Sequence, residues 1–189
     1  MTQTASVVVV VMLVSAALAA GAPGPAKLSK VATEKALKDI EADRADTEKW
    51  LKSDPTSYLA TIDRRDFGDR RALTVGRATD NDVRIDDPVV AAHHLRVSVD
   101  GDQFRVQAID PTARFKVKNE EKRDLTLGPA YIQVDRFMLR LSHQGFPAII
   151  VFDPKSPRYK EYKGIKYFPP DLGYRYELPL TPNPKPDTI

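Results

Sequence analysis

ALTVGRATDNDVRIDDPVVAAHHLRV, residues 72–97, is the stretch that decides the fold. Leu73-Thr74-Val75, Val83-Arg84-Ile85 and Leu95-Arg96-Val97-Ser98-Val99 alternate apolar with polar side chains, the period of strands with one buried face. Immediately downstream, Asp100-Gly101-Asp102 leads into a further alternating run, Gln103 to Ile109. An Asp-Gly pair between two such runs is a strong local hairpin signal. Short runs continue at Phe115–Val117, Leu125–Leu127, Tyr131–Val134, Phe137–Leu141 and Ala148–Phe152. No helical pattern separates them, so the prediction is an antiparallel β-sandwich rather than a parallel α/β sheet.

Upstream, Lys27 to Lys52 is rich in Ala, Lys and Glu and holds neither Gly nor Pro. Its apolar residues, among them Leu28, Val31, Leu37, Ile40, Trp50 and Leu51, recur near a 3.6-residue period. Residues 27–53 therefore read as an amphipathic helix ended by Ser53-Asp54-Pro55, because proline cannot continue a helix. The helix either docks through its last turn, by Trp50 and Leu51, or stands free as a stalk.

Farther upstream still, all 29 basic and 26 acidic side chains lie between Lys27 and Ile189. The uncharged segment before them holds the apolar run Val7–Ala20, then small residues and Pro23-Gly24-Pro25. That pattern predicts a signal peptide, residues 1–19, cut after Ala17-Leu18-Ala19, and a periplasmic or secreted protein. The run is short for a membrane span, which needs about 20 apolar residues, although an uncleaved anchor with an extracytoplasmic domain is the alternative. Met1 to Ser6 carries no Lys or Arg. The absence of cysteine excludes disulfides, a thiol nucleophile and zinc–thiolate sites. A net charge of +3 over so many mixed charges favours no particular partner.

Toward the C-terminus, residues 153–175 carry four prolines, two glycines, four tyrosines and no period. A strand-like run, Tyr174–Leu180, precedes the proline-broken tail 181–189. So aromatic a stretch is expected to be ordered, since disordered segments are poor in aromatics. Its tyrosines either cover a sheet edge or form a ligand surface, with Arg158, Tyr162, Tyr167 and Tyr174 as the contacts. Rings mixed with basic side chains suit nucleic acid, but an exported compartment and the interspersed Asp153, Glu161 and Asp171 argue against it. A cell-envelope polymer or protein is the alternative partner.

Residues 72–97 resemble the first half of a forkhead-associated domain. Gly76-Arg77, Asn81-Asp82, Ile85 and His94 match that family's pattern, and residues 125–141 match its closing pair of strands. The resemblance implies a β-sandwich whose loops bind phosphothreonine, with Arg77 on the phosphate. Two departures argue against that binding here: Ala91 stands where the family has its phosphate-contacting Ser, and no Asn-Gly pair follows Asp110. A phosphate needs several converging donors, and Arg77 alone would leave most of its oxygens unpaired. Without a phosphate, Arg77 is expected to pair with Asp80 or Asp82, and His94 to be a satisfied loop-to-strand histidine.

A second resemblance covers most of the chain after residue 40. Trp50, the Val75-Gly76-Arg77 turn and FDPKSPRYKEYKGIKYFPPDLGYRYE, residues 152–177, are similar to the bacterial family catalogued as domain of unknown function 1684. Members run on into a second half that would follow Ile189, which implies that this chain is a truncated or shortened member. The expected organisation is a helix at 27–53, a forkhead-associated-like sandwich at 58–145 and a family-specific extension at 146–180.

No catalytic signature accompanies these elements. There is no G-x-S-x-G, Gly-rich phosphate loop or H-E-x-x-H. Ser142-His143 has no evident orienting acid, and Glu120-Glu121 reads as a solvated turn. Adjacent His93 and His94 should point to opposite faces of a strand and so not share a metal ion. No catalytic residue, metal or cofactor is therefore assigned. The function expected is a non-enzymatic binding or scaffold module of the cell envelope, or else the N-terminal half of an enzyme whose catalytic residues follow residue 189.

Overall fold

The computed structural model describes residues 28–174. Their contacts divide into two units: one is Lys38–Phe168, and the other holds, among the described residues, 28–37 and 169–174. Helix α1, Lys30–Ser53, runs from one unit into the other. Ser29 Oγ accepts the Ala32 N–H at its start, and Pro55 follows its end. Leu51 is its buried residue, and Trp50 packs edge-on against Tyr58 with centroids 5.2 Å apart. The docked alternative therefore holds for the last turn of the helix.

Two sheets make the sandwich, and both lie in the larger unit. One has six strands in the order β1-β11-β10-β9-β6-β7, and the other five in the order β3-β2-β4-β5-β8. The strands of the first are β1 Thr61–Asp66, β6 Phe115–Val117, β7 Glu120–Lys122, β9 Ala130–Val134, β10 Phe137–Ser142 and β11 Ala148–Phe152. Those of the second are β2 Ala72–Gly76, β3 Val83–Arg84, β4 Leu95–Asp100, β5 Gln103–Ala108 and β8 Asp124–Leu127. Every alternating run of 72–152 forms a strand, and its apolar side chains meet in one core. Leu73, Val75, Leu95, Val97, Phe104 and Val106 from the smaller sheet face Ile132, Phe137, Leu139, Leu141, Ile149 and Val151. The β4–β5 hairpin closes through Gly101 at φ +54°.

The structure departs from expectation in four places. Strands β2 and β3 pair in parallel, the exception in an otherwise antiparallel sandwich. Strand β1, Thr-Ile-Asp-Arg-Arg-Asp, was hidden by its charges: it is an edge strand whose pairing with β11 supplies what its side chains do not. Glu120-Glu121 lies in β7 instead of a turn, because Lys118 and Asn119 adopt positive φ and close the hairpin one step earlier. The sandwich extends to Phe152, not to 145, since β11 lies between β1 and β10 and contributes buried Ile149 and Val151. The expected strand from Tyr174 to Leu180, the tail and the signal segment lie outside the described residues, apart from Tyr174. No helix among the described residues is long and apolar enough to cross a membrane.

Candidate functional site

Three loops, β2–β3, β3–β4 and β5–β6, are fastened to one another. Gly76 ends β2 in a position so tight that a Cβ there would sit 2.3 Å from the Ala92 carbonyl oxygen. That closeness lets Arg77 N–H donate to Ala91 O and Ala78 N–H to Ala92 O, each at 3.0 Å. Buried Asn81 adds a clip, its Nδ2 donating to the carbonyls of Ala78 and Ala92 at 2.8 Å each. His94, also buried, ties in the third loop. Its Nδ1 accepts the Ala91 N–H at 3.1 Å, so Nε2 carries the proton and donates to the Arg114 carbonyl at 2.8 Å. His93 and His94 both precede β4 and so are not strand neighbours as expected: His93, in the turn, is exposed and 3.8 Å from Asp80, and His94 is buried.

Arg77 itself is exposed, with Nε donating to the Val90 carbonyl at 3.4 Å. It pairs with neither expected acid. Asp82 is taken by Arg70 and by the backbone N–H and hydroxyl of Thr74, and Asp80 lies nearest His93. Among the described residues the terminal nitrogens of Arg77 therefore meet no carboxylate.

The Val90 carbonyl is held from behind by a group that sequence reasoning missed. Arg136, in the β9–β10 turn, reaches Asp87 at 2.6 Å and grips Asp153 with Nε and Nη2 at 3.0 and 3.2 Å. Asp87 in turn accepts the Val89 N–H, and its carbonyl accepts the Val90 N–H. Arg136 holds the Asp87 carboxyl below its usual range, with the Val89 amide adding to the effect. Asp153, first of all, and then Asp87 raise the guanidinium above its own range. These three residues are far apart in sequence and carry no periodic signal. The one local cue is Asp153-Pro154-Lys155-Ser156, where the carboxylate accepts the Lys155 N–H at 2.8 Å.

Three other sequence-predicted contacts, Arg158, Tyr162 and Tyr167, lie elsewhere in the larger unit. Arg158 donates to the carbonyls of Tyr58 and Thr61 at 3.3 and 3.0 Å. Tyr162 donates to Glu48 of α1 at 2.8 Å, and the Ile165 N–H reaches the same oxygen. Burial above all, and then the hydrogen bond to Glu48 and its charge, push the Tyr162 hydroxyl up to about 12. Arg44 stacks 4.7 Å from the Tyr167 ring centre. Tyr174 is exposed and belongs to the other unit. Among the described residues no hydrogen bond, ion pair or ring contact joins Arg77 to any of these four. His143 does have an acid beside it, Asp102 at 3.2 Å, but no hydrogen bond joins Ser142 to the ring.

The comparisons meet this geometry at the same loops. The family model of the FHA (forkhead-associated) domain matches residues 73–129. The fold is FHA-like. Among solved structures, one from a study of phosphothreonine-dependent FHA domain interactions is 23% identical, covering 43% of this chain and 75% of its own at a TM-score of 0.32. Mycobacterium tuberculosis EmbR, solved in complex with a low-affinity phosphopeptide, is 16% identical over 67% of this chain and 32% of its own, at 0.34. The FHA-1 domain of Rv1747 from the same organism is 16% identical over 49% of this chain and 96% of its own, at 0.31. No curated protein matches the chain.

The FHA match overturns the expectation that phosphothreonine peptides are not bound. Ala91 and the absent Asn-Gly pair fall inside the matched segment. Anion sites in proteins draw on backbone N–H groups and guanidinium donors together, so a missing hydroxyl is one contact among several.

Proposed function

We propose that the sandwich is a non-enzymatic recognition module that takes a phosphothreonine peptide at the end where Arg77 lies. The observation that carries this is Arg77 itself. Its main chain is pinned to Ala91, and its terminal nitrogens are left without a carboxylate in loops matched by the FHA family model. A guanidinium held in place by its backbone loses little entropy when it forks onto a phosphate. Titration of the full chain with a phosphothreonine peptide library is the test. Saturable binding is expected, abolished by dephosphorylation and weakened about tenfold or more in Arg77→Ala. Failure of every phosphothreonine peptide to bind overturns the reading.

The module is further proposed to work outside the cytoplasm, in a protein of the kind that residues 152–177 resemble. The support for this is the uncharged, apolar segment ahead of Lys27 and the resemblance noted for residues 152–177.

A further inference from the structure

Beside the candidate site, the β5–β6 loop is wrapped by two arginines that share one oxygen. Arg114 donates to the carbonyls of Pro111 and Ala113 at 2.9 and 2.6 Å. Arg123, entering from just before β8, donates to the same Pro111 carbonyl and to that of Asp110. Both guanidiniums are exposed, and neither meets a carboxylate among the described residues. The nearby acids are committed elsewhere. Asp110 turns inward to the N–H and hydroxyl of Thr112, and Asp124 is occupied by Arg105 and Gln107. Two cations converging on one carbonyl repel each other, and carbonyl dipoles offset only part of a net charge of about two. An anion placed between them relieves that repulsion.

The β5–β6 loop that this pair grips is clasped to the loop carrying Arg77 through a single imidazole. Arg77 N–H donates to Ala91 O, Ala91 N–H to His94 Nδ1, and His94 Nε2 to Arg114 O. Resting on the phosphothreonine reading above, we propose that Arg114 and Arg123 form a second anion subsite. It takes a carboxylate or a second phosphate carried by the same peptide that presents its phosphothreonine to Arg77. Arg114 stands in, and Arg123 reaches from before β8, the loop where the family's Asn-Gly is absent, so this chain selects acidic phosphopeptides.

The test uses the full chain and a set of phosphothreonine peptides with Ala or Glu at each flanking position. The expected result is tighter binding, by about fivefold, for at least one acidic position, a gain typical of one exposed charge pair. Arg114→Met with Arg123→Met should erase that ratio while the all-Ala phosphopeptide still binds, whereas Arg77→Ala weakens both. Phosphoserine in place of the effective Glu separates phosphate from carboxylate as the preferred group. If the double variant does not fold, Arg114→Lys with Arg123→Lys keeps the charge, loses the fork and should reduce the ratio. An arginine pair that merely staples the loop changes the melting temperature and leaves the ratio intact, which overturns the proposal, as does equal affinity for acidic and Ala peptides. If no phosphothreonine peptide binds, an unphosphorylated tri-glutamate peptide decides the subsite alone. Shifted Nε–H resonances of Arg114 and Arg123 support it, and unmoved ones refute it.

Discussion

Gly76→Ala tests whether the loop platform depends on close backbone approach. The added methyl carbon would lie 2.3 Å from Ala92 O and 2.8 and 2.9 Å from the side-chain amide atoms of buried Asn81. Ordinary contact begins near 3.4 Å, so the β3–β4 loop must move outward by about an ångström. That movement breaks two hydrogen bonds on Ala92 O, those from Ala78 N–H and Asn81 Nδ2. At about 1 kcal/mol each, they account for about 2 kcal/mol. Strain in a packed site adds about 1–2 kcal/mol more. The expected loss is about 3–4 kcal/mol, a fall in melting temperature of roughly 6–15 °C for a protein of this size. Thermal unfolding by circular dichroism measures it, and phosphopeptide titration on the folded variant should show weaker binding because Arg77 moves with its neighbour. A melting temperature within about 2 °C of the parent, with binding unchanged, refutes the reasoning.

Four further outcomes follow from other parts of the molecule. Tyr162 stays neutral above its ordinary value of 10, so its contribution to stability is complete below that pH and is lost as pH rises through about 12. Phenolate absorbance should show one tyrosine titrating late, and Glu48→Gln should move it back toward 10; no change removes Glu48 as a cause. Glu48 is itself held below 4.5 by the Ile165 N–H and then by the Tyr162 hydroxyl. Its contribution is therefore present above that pH and fades in acid, and the same variant should flatten the acid limb of a stability–pH curve. Arg136→Met strands buried Asp153 and should cost about 2–3 kcal/mol, less than a fully uncompensated buried charge because the Lys155 N–H still serves it. Adding Asp153→Asn should recover part of the loss, and a further fall in stability would sink the account. N-terminal sequencing of the exported fraction should find a chain beginning near Ala20, and recovery of intact Met1 only in detergent would show an anchor.

How much was legible in advance differs from element to element. Residues 73–75, 95–99, 103–109, 131–134 and 137–141 announced themselves because each strand has one buried face, and burial on one face writes a period of two into the chain. The helix and its end at Pro55 were legible for the parallel reason that its breakers are local. Gly76-Arg77 and His94 were visible as family-like positions. The inference drawn from Ala91 and the missing Asn-Gly pair is overturned by the FHA family-model match over residues 73–129, because a pattern spread over a whole segment survives the loss of single positions within it.

What the sequence by itself determined, then, is what nearest neighbours determine: strand periods, hairpin turns, the helix and the aromatic character of the extension. The tertiary structure decided the pairings among isolated charges. Arg136 finds Asp87 and Asp153 across 49 and 17 positions, and Arg123 meets Arg114 on one carbonyl because β8 runs beside β5. It likewise turned Arg158 and Tyr162 toward carbonyls and a carboxylate of their own chain. Such contacts leave no local trace, because a charge carries its sign in the sequence and its partner only through the packing of strands that lie far apart along it.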